Sequence, residues 1–159
     1  MGEQPNLNPS EINFTVWPSV MGIKVAKIDK NAILPTRKFP TDAGMDVYSL
    51  FNVIILPHSN ALVRTGITVE IPQSYFGLLK PKGKSFHLIG AGVVDESYQG
   101  EIVVKVFNPS ENMISFLAGQ PVAQLIIIPV ACPQIVEVDE TEVHKVPTDR
   151  GTTGGIHGA

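Results

Sequence analysis

No stretch of this chain carries a sustained helical period bounded by helix start and stop signals, whereas short β-forming runs recur throughout between proline and glycine breaks. The clearest is the second half of the run from Leu62 to Ile71, where Ile67, Val69 and Ile71 fall on one face and Thr68 and Glu70 on the other. That is a period of two, the alternation of a half-buried strand. Thirteen prolines and fourteen glycines cut the chain at the spacing of a β-sandwich or barrel. The chain is therefore predicted to be all-β.

Along the sequence, residues 1–22 are rich in Asn, Pro, Ser and Glu and are expected to form an N-terminal extension, in which Phe14, Val16 and Trp17 could make a small docking patch. A β domain is expected over 23–147. Its strands are predicted around Ile23–Ile28, Ala43–Ser49, Val53–Leu56, Leu62–Ile71, Phe76–Leu79, Ile102–Phe107, Met113–Leu117, Val122–Val130 and Gln134–Val138. The run Val122–Val130 is apolar on both faces and should lie deep in the core, with Gln124 as the exception. Gly90–Ile102 reads as a hairpin whose tip carries Asp95 and Tyr98. Residues 148–159 form a Gly-rich tail with one Arg among Gly and Thr, a composition able to wrap phosphates or simply to fray.

Length and charge bound the function. A chain of 159 residues suits one domain with a real core. The net charge of −3 argues against general nucleic-acid affinity, which needs clustered Lys and Arg, but leaves room for a small phosphorylated ligand. The single Cys132 rules out an internal disulfide and a cysteine zinc cluster. No apolar stretch has transmembrane length and the polar start is unlike a secretory signal, so no membrane association and a cytoplasmic or otherwise intracellular location are expected. His58, His87 and His144 share no spacing and read as structural or surface residues.

Four polar features sit oddly in such a chain: Asp46 within a strand, Asp95 with Tyr98, Gln124 within a core run, and Arg150 in the tail. A buried carboxylate or amide without partners costs several kcal/mol, so one shared polar site is an economical explanation. Local satisfaction by backbone groups is the alternative for Asp46 and Gln124.

Taken in order, these pieces resemble the five motifs of the trimeric dUTPase family (deoxyuridine triphosphate nucleotidohydrolases). Residues 42–47, DAGMDV, resemble the first motif, and 81–85, PKGKS, occupy the place of the second. Residues 92–102, GVVDESYQGEI, resemble the third; 119–127, GQPVAQLII, the fourth; and 150–155, RGTTGG, the start of the fifth. The likeness runs from about Ile23 to the end of the chain.

The resemblance implies a distorted jelly-roll subunit of the β-clip type, a homotrimer with active sites at subunit boundaries, and Mg²⁺-dependent hydrolysis of dUTP to dUMP and pyrophosphate. The ion would be held mainly by the triphosphate, with no protein metal cage. Carried onto this chain, Asp95 would contact the sugar 3′-hydroxyl and orient or deprotonate the attacking water, and Asp46 would support the metal–phosphate region. Tyr98 would lie under the deoxyribose and leave no room for a 2′-hydroxyl. Backbone groups at Gly92, Val93 and Val103 would read the uracil edge. Lys82, Gly83, Ser85 and Gln124 would hold phosphates, and Arg150 would reach over the outer ones.

Two departures stand out. Lys82 and Gly83 stand where the family has Arg and Ser, with Ser85 able to replace that Ser after a local shift, and the connection to Gly90 is too short for the family's helix. Gly155 occupies the place of the aromatic lid over uracil; a one-residue shift would bring in Ile156, and His157 could stack instead. Loss of a stacked ring is worth about 1–3 kcal/mol, so weaker substrate binding is expected. The alternatives are a dCTP deaminase-type enzyme of the same fold and a non-catalytic nucleotide-binding or regulatory protein.

Overall fold

Strands form where the period-two runs lie. The computed structural model describes residues 22–90, 92–144 and 146. Among them the chain forms eleven strands: β1 (Lys24–Lys27), β2 (Gly44–Tyr48), β3 (Val53–Ile55), β4 (Asn60–Arg64), β5 (Ile67–Glu70), β6 (Tyr75–Lys80), β7 (Leu88–Gly90), β8 (Val93–Val94), β9 (Val103–Phe107), β10 (Ile114–Phe116) and β11 (Pro121–Pro129). A single 3₁₀ turn follows at Glu140–Glu142. No helix of the described residues is long and apolar enough to cross a membrane.

The largest sheet has the order β2-β11-β6-β8, with each neighbouring pair antiparallel. A three-stranded sheet, β4-β9-β7, faces a different way round the core, and the pairs β1-β5 and β10-β3 complete the shell. The alternation of β5 is realised as read: Ile67, Val69 and Ile71 are buried, while Glu70 is exposed and pairs with Lys24 of β1. Val63, Val104 and Val106 enter the same core from β4 and β9, and Met45, Val47, Val122, Ala123 and Leu125 from β2 and β11. Their burial, at roughly 1.5–3 kcal/mol for each large side chain, is the principal stabilising term.

The expected hairpin is present: β7, ending at Gly90, pairs antiparallel with β9, starting at Val103, and the connection between them carries Asp95 and Tyr98. Midway, β8 leaves that sheet to pair with β6 in the large one, so the connection crosses from one sheet to the other and back, which local sequence does not reveal because β6 lies outside the segment. Two sequence expectations need correction. Gln134–Val138 is not a strand: it is extended, makes no ladder among the described residues, and leaves Ile135 100% and Val136 73% exposed. Finally, β11 is buried only over Val122–Leu125; Ile126 to Ile128 are half-buried and Val130 is exposed.

Candidate active site

The crossing segment walls a cavity of about 430 Å³ between the two sheets. Leu79 and Val93 line it from the large sheet, Leu62 and Val103 from the other, and Asp95 and Tyr98 from the crossing itself. Its walls are mostly apolar, with a few polar groups, which is the usual make-up of a small-molecule site. Gly92 brings the backbone very close to β6: its carbonyl accepts from the Leu79 N–H at 2.7 Å, and a Cβ at this position would lie 2.5 Å from the Leu79 oxygen. Only glycine permits that approach. Asp95 is exposed and opens a tight turn whose carbonyl accepts from the Tyr98 N–H at 3.1 Å. The Tyr98 phenol donates to the carbonyl of Glu101 at 2.8 Å.

Glu101 closes this turn. Its side chain is 14% exposed, and one carboxylate oxygen accepts from Arg64 Nε at 2.9 Å while the other accepts from the Gly66 N–H at 2.7 Å. Arg64 ends β4 and Gly66 lies on the short connection to β5. The neighbouring Thr65 hydroxyl donates to the Ile102 carbonyl, and the Ile102 N–H donates to the Ile67 carbonyl.

A second polar cluster lies elsewhere on the large sheet. Asp46, Gln124 and Lys80 are direct cross-strand partners on β2, β11 and β6. The chain leaves β6 into the turn 81–85, closed by the Ser85 N–H donating to the Lys82 carbonyl at 2.9 Å. Lys82 then reaches back so that its Nζ donates to Asp46 Oδ2 at 2.5 Å, and the Gln124 amide donates to the Pro81 carbonyl at 2.9 Å. Gly83 is exposed on the same turn and Ser85 half-buried. The three strands thus gather a carboxylate, a cation, an amide and a turn.

The two clusters do not meet within one chain. From Asp46 to the start of the crossing at Asp95 is three strand spacings across the sheet and about four residues along it, on the order of 20 Å. Gly92, Val93, Asp95, Tyr98 and Val103 are brought together, as are Asp46, Lys82, Gly83, Ser85 and Gln124. Arg150, Gly155 and Ile156, with His157 and the N-terminal Phe14, Val16 and Trp17, lie outside the described residues.

A family model described as dUTPase matches residues 30–155.

This chain belongs to the dUTPase family.

The deoxyuridine 5′-triphosphate nucleotidohydrolase of Fowlpox virus is 35% identical over 136 residues, covering 83% of this chain and 93% of the relative. The mitochondrial enzyme of Homo sapiens is 32% identical over 156 residues, 96% of this chain and 60% of that longer protein. Among solved structures, a mutant dUTPase of Staphylococcus bacteriophage 80alpha bound to dUpNHpp superposes with a TM-score of 0.75 at 26% identity, over 85% of this chain and 96% of its own. A mutant dUTPase of phage phi11 of S. aureus, described with a structural Mg(II) ion, gives a TM-score of 0.71 at 26% identity, over 77% of this chain and 99% of its own. The sheets described above are thus a dUTPase-type distorted jelly roll.

In this dUTPase the histidines take the structural places their spacing suggested. His87 is buried, its Nε2 2.9 Å from the Val122 carbonyl and its ring edge-on to Phe116; His58 pairs with Glu111 on the surface. Among the described residues no group of three or more His, Cys, Asp or Glu gathers as a metal cage. The polar cluster nevertheless suits Mg²⁺, which needs only a carboxylate or two when substrate phosphates and water supply the other oxygens, and Asp46 offers one carboxylate beside Gln124 and Lys82. Sequence reading missed Glu101 and Arg64. Glu101 stands inside the third motif, but its partners are 35 and 37 residues upstream, so nothing local marked it.

Proposed function

We propose that this chain hydrolyses dUTP to dUMP and pyrophosphate, with Asp95 acting on the attacking water. The observation that carries the reading is the joining of Asp95 and Tyr98 to the Gly92–Val93 and Val103 backbone around one cavity between the sheets. Uracil would sit against the backbone of Gly92, Val93 and Val103, where directional N–H and C=O groups discriminate strongly because a mispaired base strands buried polar groups. The deoxyribose would rest on Tyr98, with its 3′-hydroxyl on Asp95. Water held by the Asp95 carboxylate attacks the α-phosphorus; its proton passes to Asp95, the bond to the bridging oxygen breaks, and pyrophosphate departs. Such a displacement depends on alignment and charge neutralisation rather than on a covalent nucleophile.

Lys82, Gly83, Ser85 and Gln124 would hold the phosphates, Arg150 would cover the outer ones, and Gly155 or Ile156 would lie over the base in the aromatic's place. Mg²⁺, when bound to the triphosphate beside Asp46, would neutralise phosphate charge. Asp46 would then exchange its Lys82 partner for that region, freeing the ammonium for a phosphate oxygen.

The separation of the two clusters, on the order of 20 Å, supports a homotrimer in which the phosphate cluster of one copy faces the cavity of the next. The apolar segment 130–138, which forms no strand among the described residues, supports it too, since Ile135 is 100% and Val136 73% exposed among them.

The test is incubation of the protein with dUTP, UTP, dCTP and dTTP in Mg²⁺, with products resolved chromatographically. Pyrophosphate and dUMP from dUTP alone are expected; uracil nucleotides from dCTP would identify a deaminase, and binding without turnover a regulatory protein. Asp95→Asn is expected to fold normally and lose turnover by at least about 100-fold, the scale of a general base; wild-type rates in that variant would end the mechanism.

A further inference from the structure

Tyr98 can discriminate between sugars only if its ring is held in place, yet the residue is 45% exposed and leans on the protein through its hydroxyl. The atom that receives this hydroxyl is the Glu101 carbonyl. Glu101 is fixed in turn by two bonds of its carboxylate, to Arg64 Nε and to the Gly66 N–H, both charge-assisted and thus stronger and more directional than neutral ones. The hydroxyl also packs hard on the loop: a Cβ at Gly100 would lie 2.5 Å from it. The other ties of the loop are weaker or more exposed. The Thr68 hydroxyl reaches the Gln99 carbonyl at 3.3 Å, and the Ser74 N–H reaches Glu96 at 3.1 Å on the surface.

We infer that Glu101 is a positioning residue for sugar discrimination: its carboxylate locks the 95–101 turn to the Arg64–Gly66 connection, and its carbonyl sets the height of the Tyr98 ring against the sugar. The inference rests on the proposed place of Tyr98 under the deoxyribose. A carboxylate that served stability alone would act on all nucleotides alike. A carboxylate that sets the ring acts on the difference between them, because excluding one hydroxyl is a matter of about an ångström, and misplacements of that size cost about a hundredfold in well-aligned sites.

The experiment uses the full chain with Mg²⁺ and compares kcat/KM for dUTP and UTP in the wild type, Glu101→Ala, Glu101→Gln and Arg64→Met, with thermal melts alongside. Glu101→Ala is expected to narrow the dUTP-to-UTP ratio about tenfold or more, mainly by improving UTP relative to dUTP. Glu101→Gln keeps an acceptor for the Gly66 N–H and should rescue most of the ratio, staying within about threefold of wild type. Arg64→Met, on an exposed part of the strand, should narrow it by a smaller factor. A Glu101→Ala enzyme that loses both activities equally, with its ratio intact, overturns the inference. If that variant does not fold, an unchanged ratio in Arg64→Met overturns it instead. Failure of the wild type to hydrolyse dUTP would sink the proposed reaction alone. The positioning role is then decided by the ratio of dUMP to UMP dissociation constants across the same variants, and a wild type without preference for dUMP overturns it.

Discussion

Replacing Gly92 with alanine tests whether the cavity floor is as tightly set as its contacts imply. The new Cβ would lie 2.5 Å from the Leu79 carbonyl oxygen, against the 3.4 Å at which ordinary contact begins, so about 0.9 Å must be found. Leu79 cannot supply it. Its N–H is bonded to the Gly92 carbonyl, and its strand is held on the other side by Leu125 of β11. The displacement must therefore fall on residues 92–95, which carry Asp95 and the backbone proposed to read uracil. Overpacking of this kind costs about 2 kcal/mol, which for a chain of this size lowers Tm by about 4–8 °C. The larger effect is catalytic: a shift near 1 Å in the group that aligns water lowers kcat/KM by about a hundredfold. Steady-state kinetics on dUTP and a melt measured on the same preparation give both numbers. Wild-type kcat/KM with wild-type Tm would refute the reasoning, as would a fall in Tm with untouched kinetics, since the displaced segment would then not be the catalytic one.

Three further outcomes follow from the geometry. Lys82→Ala removes the cation beside Asp46 and should raise KM for dUTP about tenfold or more while leaving inhibition by dUMP nearly unchanged, because a monophosphate lacks the outer phosphates; equal losses for both would place Lys82 elsewhere in the site. Leu125→Ala empties a fully buried position in the central strand of the large sheet and should cost about 2–5 kcal/mol in denaturant unfolding; a cost below about 1 kcal/mol would mean that the core collapses around the gap. Ile135→Asp combined with Val136→Asp should convert the proposed trimer to smaller species in sedimentation and abolish turnover, and an unchanged sedimentation coefficient would remove that segment from the interface.

The sequence made the strand content legible because period two is a property of neighbours: Ile67, Val69 and Ile71 alternate with Thr68 and Glu70, and their burial follows. It made Asp95, Tyr98, Asp46, Lys82 and Gln124 visible as chemically unusual residues in β contexts. Sheet membership was not visible. Whether Val93 pairs with Leu78 or with a residue of β9 depends on contacts outside the segment, so the excursion of the hairpin's connection to the large sheet could not be read. Nor could apolarity say whose core a residue fills. Ile135 and Val136 look like strand residues because they are apolar, yet no strand edge among the described residues pairs with them. Glu101 escaped notice for the opposite reason: an acid after a glycine looks like an ordinary turn, and only the fold brings Arg64 and Gly66 to it.

Because the connection from β7 to β9 visits the large sheet through β8 before returning, the cavity works as a feeler gauge set in the seam between the two sheets. Any change in how the sheets lean on each other alters the gap before it unpairs a strand. Substitutions among the buried valines of β4 and β9 should therefore surface first as lost substrate fidelity and only later as lost fold. Selection for accurate nucleotide choice would then guard this core more strictly than the need to stay folded.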